Sequence, residues 1–393
     1  MGSFRWLTAG ESHGKGLTAV IEGLPAGLPL TEDDLARDLE RRQGGYGRGG
    51  RMKIEKDRAE ITAGVRHGLT LGSPVALWVQ NRDWANWTTK MAVEPIEDEI
   101  ERVTRLRPGH ADLAGALKYG FDDVRNVLER ASARETTARV AVGGVAKRLL
   151  GEFGVSFWSH TLSIGEARAD PPASINWEAV EASPVRAATA AATEAMVAAI
   201  DGAKHEGDTL GGELEVRVKG VPPGLGSYVH WDRKLDGRLA QAICSINAFK
   251  GVAFGGGFDT AAAPGSKVHD VILPFDQWEG RPWRHATNNA GGIEGGMSTG
   301  EEIVVRCAVK PIPTLAHPLP SVDLDTGAEV LAHYERSDVC VVPAAGVVAE
   351  AMLAIVLADE WLIKFGGDTL DQLRANVAGY MSTLAPRAHR GAD

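Results

Sequence analysis

Cysteine is scarce. The chain holds 3, Cys244, Cys307 and Cys340, which lie far apart and in no C-x-x-C pair. A disulfide framework and a thiolate metal cluster are both unsupported; no metal site is expected, and a reducing compartment fits. An apolar signal core is missing from the opening MGSFRWLTAGE, and Trp6 stands where a myristoylation signal needs Ser or Thr. The longest apolar run, 339–357, is broken by Pro343 and Glu350, which points to a buried helix and not a membrane span. A soluble, cytoplasmic protein without a membrane partner is therefore expected. The glycine-rich stretch 44–51 misses both the P-loop and the G-x-G-x-x-G spacing, so no fingerprint for NADPH is present. Net positive charge is lacking too: at -10 the chain has no overall basic face for a nucleic acid.

Glycine, in contrast, is abundant, at 47 of 393 residues, and it punctuates patterned segments instead of forming a low-complexity tract. Much of it recurs. The stretch GESHGKGLTAVIEGLPAGLP at 10–29 lies over GDTLGGELEVRVKGVPPGLG at 207–226 without a gap, with Gly10, Gly14, Gly23 and Gly27 on Gly207, Gly211, Gly220 and Gly224. His13, however, falls on Leu210. Gly64, Gly68 and Gly72 before one apolar run match Gly292, Gly296 and Gly300 before another, and Glu129-Arg130-Ala131-Ser132 matches Glu335-Arg336-Ser337-Asp338. The pattern is that of a diverged internal duplication, repeats about 4–165 and 205–368, folded as one unit over 1–393. Turn glycines serve backbone geometry in both halves, whereas a reactive side chain kept in one half predicts a single asymmetric site.

Taken in order, 4–8 and 17–21 read as strands around the first glycine turn. GESHG formally matches the G-x-S-x-G nucleophile elbow, but the β-branched stretch after it demands a strand where the elbow needs a helix. Thr31 with an acidic first turn, Leu35, Leu39 and the basic pair Arg41-Arg42 predicts a helix ending near Gln43. Arg41, Arg42, Arg48, Arg51 and Lys53 follow without an acid among them, a cation cluster suited to a small anion or, more blandly, to solvent; the loop at 44–51 reads as a mobile lid. Strand, turn and strand are expected across 61–79. His110 sits on a proline-glycine turn in RPGHAD, where an imidazole can face a ligand. Arg130, Ser132 and Arg134 precede a helix running through Leu149, a setting in which N–H groups and two arginines would converge on an anion. Further helices are expected over 185–200, closed by Gly202, over 235–246, and over 347–363, capped by Gly366 and Gly367; strands over 154–162 and 303–309 complete the pattern.

With these segments in order, the chain closely resembles the chorismate synthase family. The resemblance rests on GESHG at 10–14, RRQGGYGRGGRM at 41–52, RPGHAD at 107–112, ERASARETTARVAVG at 129–143, SINAFKG at 245–251, GGIEGGMSTGE at 291–301, KPIPT at 310–314 and ERSD at 335–338. It implies an α+β fold, a β-α-β sandwich with helices between antiparallel sheets and internal pseudo-twofold symmetry, assembled as a homotetramer. It implies a lyase that converts 5-enolpyruvylshikimate 3-phosphate to chorismate and phosphate with reduced FMN, NADPH entering only through flavin reduction, by a separate reductase or by the chain itself. Carried over by position, His13 would protonate the departing phosphate, His110 would steady the anionic flavin and Asp368 would assist proton traffic. Arg42, Arg48, Arg134 and Arg51 would hold the substrate, with Arg42 and Arg48 alternatively assigned to NADPH. The flavin would take Arg130, Ala131, Ser132, Asn247, Ala248, Gly295, Lys310, Pro311, Ile312, Pro313, Thr314 and Arg336. A non-catalytic anion- or nucleotide-binding protein and a serine hydrolase at Ser12 remain the alternatives.

Overall fold

Alternation lays down the first sheet. In β2 (Gly16–Glu22) Leu17, Ala19 and Ile21 are buried while Thr18, Val20 and Glu22 face outward, the period-two pattern of a strand with one wet side. The computed structural model describes residues 4–49, 56–97, 100–274, 283–335 and 337–384. It flanks β2 with β1 (Arg5–Ala9) and, after β3 (Glu60–Ala63) and the small hairpin of β4 (Val65–Arg66) and β5 (Leu69–Thr70), with β6 (Val75–Gln80), in the antiparallel order β1-β2-β6-β3. The second sheet is built from β7 (Ser156–Ile164), β8 (Ala167–Arg168), β9 (Gly212–Lys219), β10 (Phe249–Phe254) and, past the hairpin β11 (Ile293–Glu294) and β12 (Met297–Ser298), β13 (Ile303–Val309). Its order is β10-β13-β9-β7-β8, also antiparallel, and with the helices it makes an α+β fold.

The aligned stretches pair alike. Ala19 faces Leu77 and Leu17 faces Val79 across β2 and β6, as Val216 faces Val305 and Leu214 faces Cys307 across β9 and β13. At the turns after β2 and β9, Thr70 Oγ1 donates to the Pro25 carbonyl at 2.6 Å and accepts from Leu28 N at 3.0 Å. Ser298 Oγ does the same between the Pro222 carbonyl at 2.6 Å and Leu225 N at 2.8 Å. Each hydroxyl answers a buried donor and a buried acceptor that water cannot reach. Thr70→Val and Ser298→Ala are therefore each expected to lower stability by about 1–3 kcal/mol, read as a lower urea midpoint at unchanged slope. An unmoved midpoint would show that the turn stands without its hydroxyl.

Between and after the strands run α1 (Glu32–Gln43), α2 (Asp112–Tyr119), α3 (Arg125–Ala131), α4 (Thr136–Gly151), α5 (Trp177–Ala182), α6 (Ala190–His205), α7 (Leu235–Cys244), α8 (Gly265–Val268), α9 (Val342–Phe365) and α10 (Leu370–Ser382). Two differ from the expected bounds. Thr189 caps α6 by accepting from Ala192 N, and the helix runs through Gly202 to the basic turn at Lys204 and His205. Helix α9 begins five residues early because Pro343 sits in its first turn, where a missing N–H leaves no bond unmade. It is long and apolar enough to cross a membrane, but its apolar 18-residue stretch is buried inside the protein.

Helix α4 packs on the first sheet, α9 on the second, and the two pack on each other. Where they meet, an added β-carbon on Gly143 would lie 2.3 Å from Ala351 Cβ, so only hydrogen fits there. Beside it Glu350, fully buried, accepts from Arg41 twice at 2.8 Å, from Lys147 at 2.7 Å and from Ser159 at 2.6 Å, with Arg186 at 3.6 Å. Asp38 and Glu181 complete the network by taking further bonds from Arg41, Lys147 and Arg186. The residue that interrupts the apolar run is thus a neutralised strut between α1, α4, α9 and β7.

Candidate active site

Gly10, at φ +114°, starts a turn too tight for a β-carbon, which would meet the Gly16 carbonyl at 2.4 Å. That turn delivers Ser12 and His13 to the last residues of α3. Glu129 grips them: its carbonyl accepts from Ser12 N at 3.0 Å, and its carboxylate accepts from His13 N and His13 Nδ1, both at 2.8 Å. Burial pushes the Glu129 carboxyl up, but the His13 hydrogen bonds and nearby Arg125 outweigh it and hold the group below its usual range. The His13 ring stacks on Trp87 at 3.8 Å, and Asn81 donates to the carbonyls of Glu11 and Gly14 at 3.1 and 2.8 Å. With Nδ1 bonded to a carboxylate, any acid-base work of this ring would fall to Nε2.

His110 is held in the same manner. Gly109, at φ +78°, turns the chain, and Asp112 in the first turn of α2 accepts from His110 Nδ1 at 2.5 Å. Arg107 brackets that carboxylate through its backbone N at 3.1 Å and Nε at 2.9 Å. Burial acts against ionisation of Asp112, yet His110 and Arg107 draw it well below the ordinary carboxylate range. Lys310 Nζ donates to the Gly109 carbonyl at 2.9 Å, and Arg107 reaches Thr314 Oγ1 at 3.5 Å, so the KPIPT stretch lies against the His110 turn.

The arginines expected to hold a substrate gather at the N-terminal ends of α4 and α9. Arg134 donates to Asp57 at 2.6 Å and to Asn81 at 2.9 Å; Arg42 donates to Thr136 at 3.0 Å and to the Ala133 carbonyl at 2.8 Å. Arg42 Nη1 lies 3.6 Å from Asp57 and is buried without a hydrogen bond among the described residues. Arg48 pairs with Asp338 at 3.4 Å, and the expected lid is pinned through Gly49 by Tyr46 N to Pro184 and by Val339 N to Gly47. Burial lowers the Arg42 guanidinium to about 9, which still leaves it charged at neutral pH. Arg42 and Arg134 thus converge on the buried carboxylate of Asp57, side chains of the kind that meet an anion in bidentate fashion. Arg51 lies outside the described residues.

Much of the expected flavin set forms one wall. Ser132 Oγ donates to Ser12 Oγ at 3.1 Å, Asn247 Nδ2 donates to the Ala131 carbonyl at 2.8 Å, and Lys310 N donates to the Ala248 carbonyl at 2.9 Å. Ala248 holds φ at +70°, strain for a residue with a β-carbon. Thr209 fixes the Ile312 carbonyl at 2.8 Å, and Pro313 borders Gly109. Pro311 lies exposed at the start of the same stretch. Arg130 departs from expectation. It belongs to the last turn of α3 and not to a helix N-terminus, and its guanidinium donates to the Thr8 and Gly10 carbonyls at 3.0 Å, away from Arg134. Gly295 is also elsewhere, exposed on the β11–β12 hairpin beside the start of α7, while Asn247 lies past its far end, about 15 Å along the helix rise. Asp368 follows the C-terminal end of α9, exposed, its carbonyl bonded to Ala26 N. The arginine cluster lies at the other end of that helix, about 36 Å long, so one chain does not bring Asp368 to the imidazoles. Arg336 lies outside the described residues.

Ser12 is no nucleophile at an elbow, for it is buried and a strand follows it. Residues that sequence reasoning left without a role are Glu129, Arg107, Asp112, Asp57, Asn81 and Trp87. The His-x-Asp spacing of 110 and 112 was a usable signal; Asp57, Asn81 and Trp87 reach the site from separate elements and carried none.

Two imidazoles, each held by a carboxylate and set near buried guanidinium groups, make an arrangement that can move protons beside a small anion, the equipment of an enzyme. The family model described as chorismate synthase matches residues 4–362. A chorismate synthase of Moorella thermoacetica is 58% identical over 384 residues, covering 97% of this chain and 99% of that relative. One of Listeria monocytogenes is 57% identical over 380 residues, covering 95% and 97%. A crystal structure of a chorismate synthase superposes with a TM-score of 0.78 at 43% identity over 97% of this chain and 98% of the other. The chain belongs to the chorismate synthase family, and is a lyase of that activity.

Proposed function

We propose that the chain eliminates phosphate from 5-enolpyruvylshikimate 3-phosphate by an anti-1,4-elimination, giving chorismate, at the cleft between the His13 turn, the His110 turn and the N-terminal ends of α4 and α9. The observation that carries this reading is the convergence of Arg42 and Arg134 on the buried Asp57, set beside two carboxylate-held imidazoles. A substrate with a phosphate and two carboxylates suits such cations, and bidentate contacts from Arg134, Arg42 and Arg48 hold it in register. His13 gives a proton to the departing phosphate, a task for which an imidazole is suited near neutral pH. The hydrogen lost from C6 is too weakly acidic for an ordinary side-chain base. Reduced FMN, when bound, supplies the electron density that expels phosphate and takes up that hydrogen.

The wall formed by Ala131, Ser132, Asn247, Ala248 and Lys310 fits such a group, since the strained Ala248 turn presents linked backbone and side-chain polar groups beside both imidazoles. Lys310 there is lowered by burial and by Lys250, a cation held where an anion would restore its solvation. His110 would steady negative charge on a bound flavin. Asp368 is left out of this chemistry. The β-α-β sandwich with pseudo-twofold duplication, folded as one unit, belongs to the same reading and is supported by the matched registers and turn hydroxyls. So do the cytoplasmic homotetramer and reduction of the flavin by a separate protein.

Mixed anaerobically with reduced FMN and 5-enolpyruvylshikimate 3-phosphate, the purified chain is expected to release phosphate and form chorismate. A binding protein would release none, and that outcome ends the proposal. Repeating the assay with NADPH and oxidised FMN is expected to give no release without an added reductase.

A further inference from the structure

We infer that Glu129 is the positioning carboxylate of His13, and that Arg125 sets the strength of its grip from between Glu129 and Glu335. The inference rests on the role proposed for His13. Glu129 takes two hydrogen bonds from that residue, one from the backbone and one from the ring, each at 2.8 Å, while its carbonyl holds the neighbouring Ser12. A single bond would orient the ring loosely; the pair fixes its position, its plane and the nitrogen that carries hydrogen.

Arg125 Nη1 donates to Glu129 Oε1 at 3.0 Å, the same oxygen that receives the imidazole, so guanidinium and ring compete for its charge. The guanidinium lies 5.1 Å over Trp87, the ring on which His13 stacks. Its Nη2 lies 3.7 Å from Glu335, which also pairs with His333 at 3.5 Å. Glu335 is the residue that the alignment of the two halves sets over Glu129. One guanidinium therefore spans the aligned glutamates, and of these Glu129 is the one that meets the imidazole proposed to act. Other charged groups around the pair are Glu11 and Arg130 at the His13 turn, Asp83 and Lys90 at Trp87, and His333 with Glu335 ahead of α9.

Steady-state kinetics of Glu129→Gln and Arg125→Ala, run beside His13→Ala, test this. Glu129→Gln is expected to lower kcat at least about tenfold with KM little changed. Its alkaline limb in kcat should move to lower pH, because an imidazolium without its anionic partner gives up the proton more readily. Arg125→Ala should move the same limb to higher pH, since the carboxylate no longer shares its charge. In ¹⁵N-histidine spectra of the protein without added flavin, neutral His13 should carry hydrogen on Nδ1, and Glu129→Gln should abolish that preference. Native kcat and limb in Glu129→Gln, with His13→Ala impaired, overturn this inference alone; native turnover in His13→Ala overturns the role of His13 itself. Should Glu129→Gln fail to fold, an Arg125→Ala limb that stays in place or falls to lower pH overturns it equally.

Discussion

His13→Ala is expected to lower turnover by at least about tenfold, general acid-base help contributing roughly 100- to 10,000-fold, while FMN still binds. The ring is held by Glu129 at 2.8 Å and stacked on Trp87 at 3.8 Å, so alanine removes a proton carrier without freeing the turn, whose backbone N–H still reaches Glu129 Oε2. Single-turnover phosphate release under anaerobic conditions measures the step directly, and flavin fluorescence measures binding. His110→Ala should behave alike, because its partner Asp112 remains fixed by Arg107. Near-normal turnover in either variant contradicts the role of that imidazole.

Glu350→Ala is expected to lower stability by about 3–5 kcal/mol, because it takes away the fully buried carboxylate and leaves the cations of Arg41, Lys147 and Arg186 to Asp38 and Glu181 alone. Full burial pushes the Glu350 carboxyl up, but Lys147 and Arg41 outweigh it and hold the group well below the carboxylate range. A depressed folded-state value gives stabilisation that is in place above the unfolded value, about 4.3, and drains away as pH falls below it. The gap between native protein and variant should therefore be constant from about pH 7 to 5 and narrow towards pH 3. Urea denaturation across that range reads it, and a gap that widened on acidification would reverse the sign assigned to Glu350.

Most of the secondary structure was legible in the sequence, since strands such as β2 and helices such as α1 declare themselves by local period and caps. Pro343 misled about where α9 begins, because proline looks like an interruption when only neighbours in the chain are visible, yet it is tolerated in a first helical turn. Glu350 pointed to a buried helix, as found, but its partners on α1, α4 and the segment ahead of α6 were out of view. The same limit governs the site. His110 with Asp112 lies within one turn and could be found, whereas the Glu129 grip joins residues 116 positions apart and the Arg134 to Asp57 pair spans 77. Arg130 shows the converse: nearness in sequence to Arg134 suggested a shared ligand, and one intervening helix end sends the two guanidinium groups to different carbonyls and carboxylates.

The missing side chain at Gly143 has a mechanical consequence. A methyl group added there has to push Ala351 away and part the two helices, which carry Arg134 ahead of α4 and Asp338, the partner of Arg48, ahead of α9. A substitution at Gly143 is therefore expected to shift the arginines from a position that touches none of them.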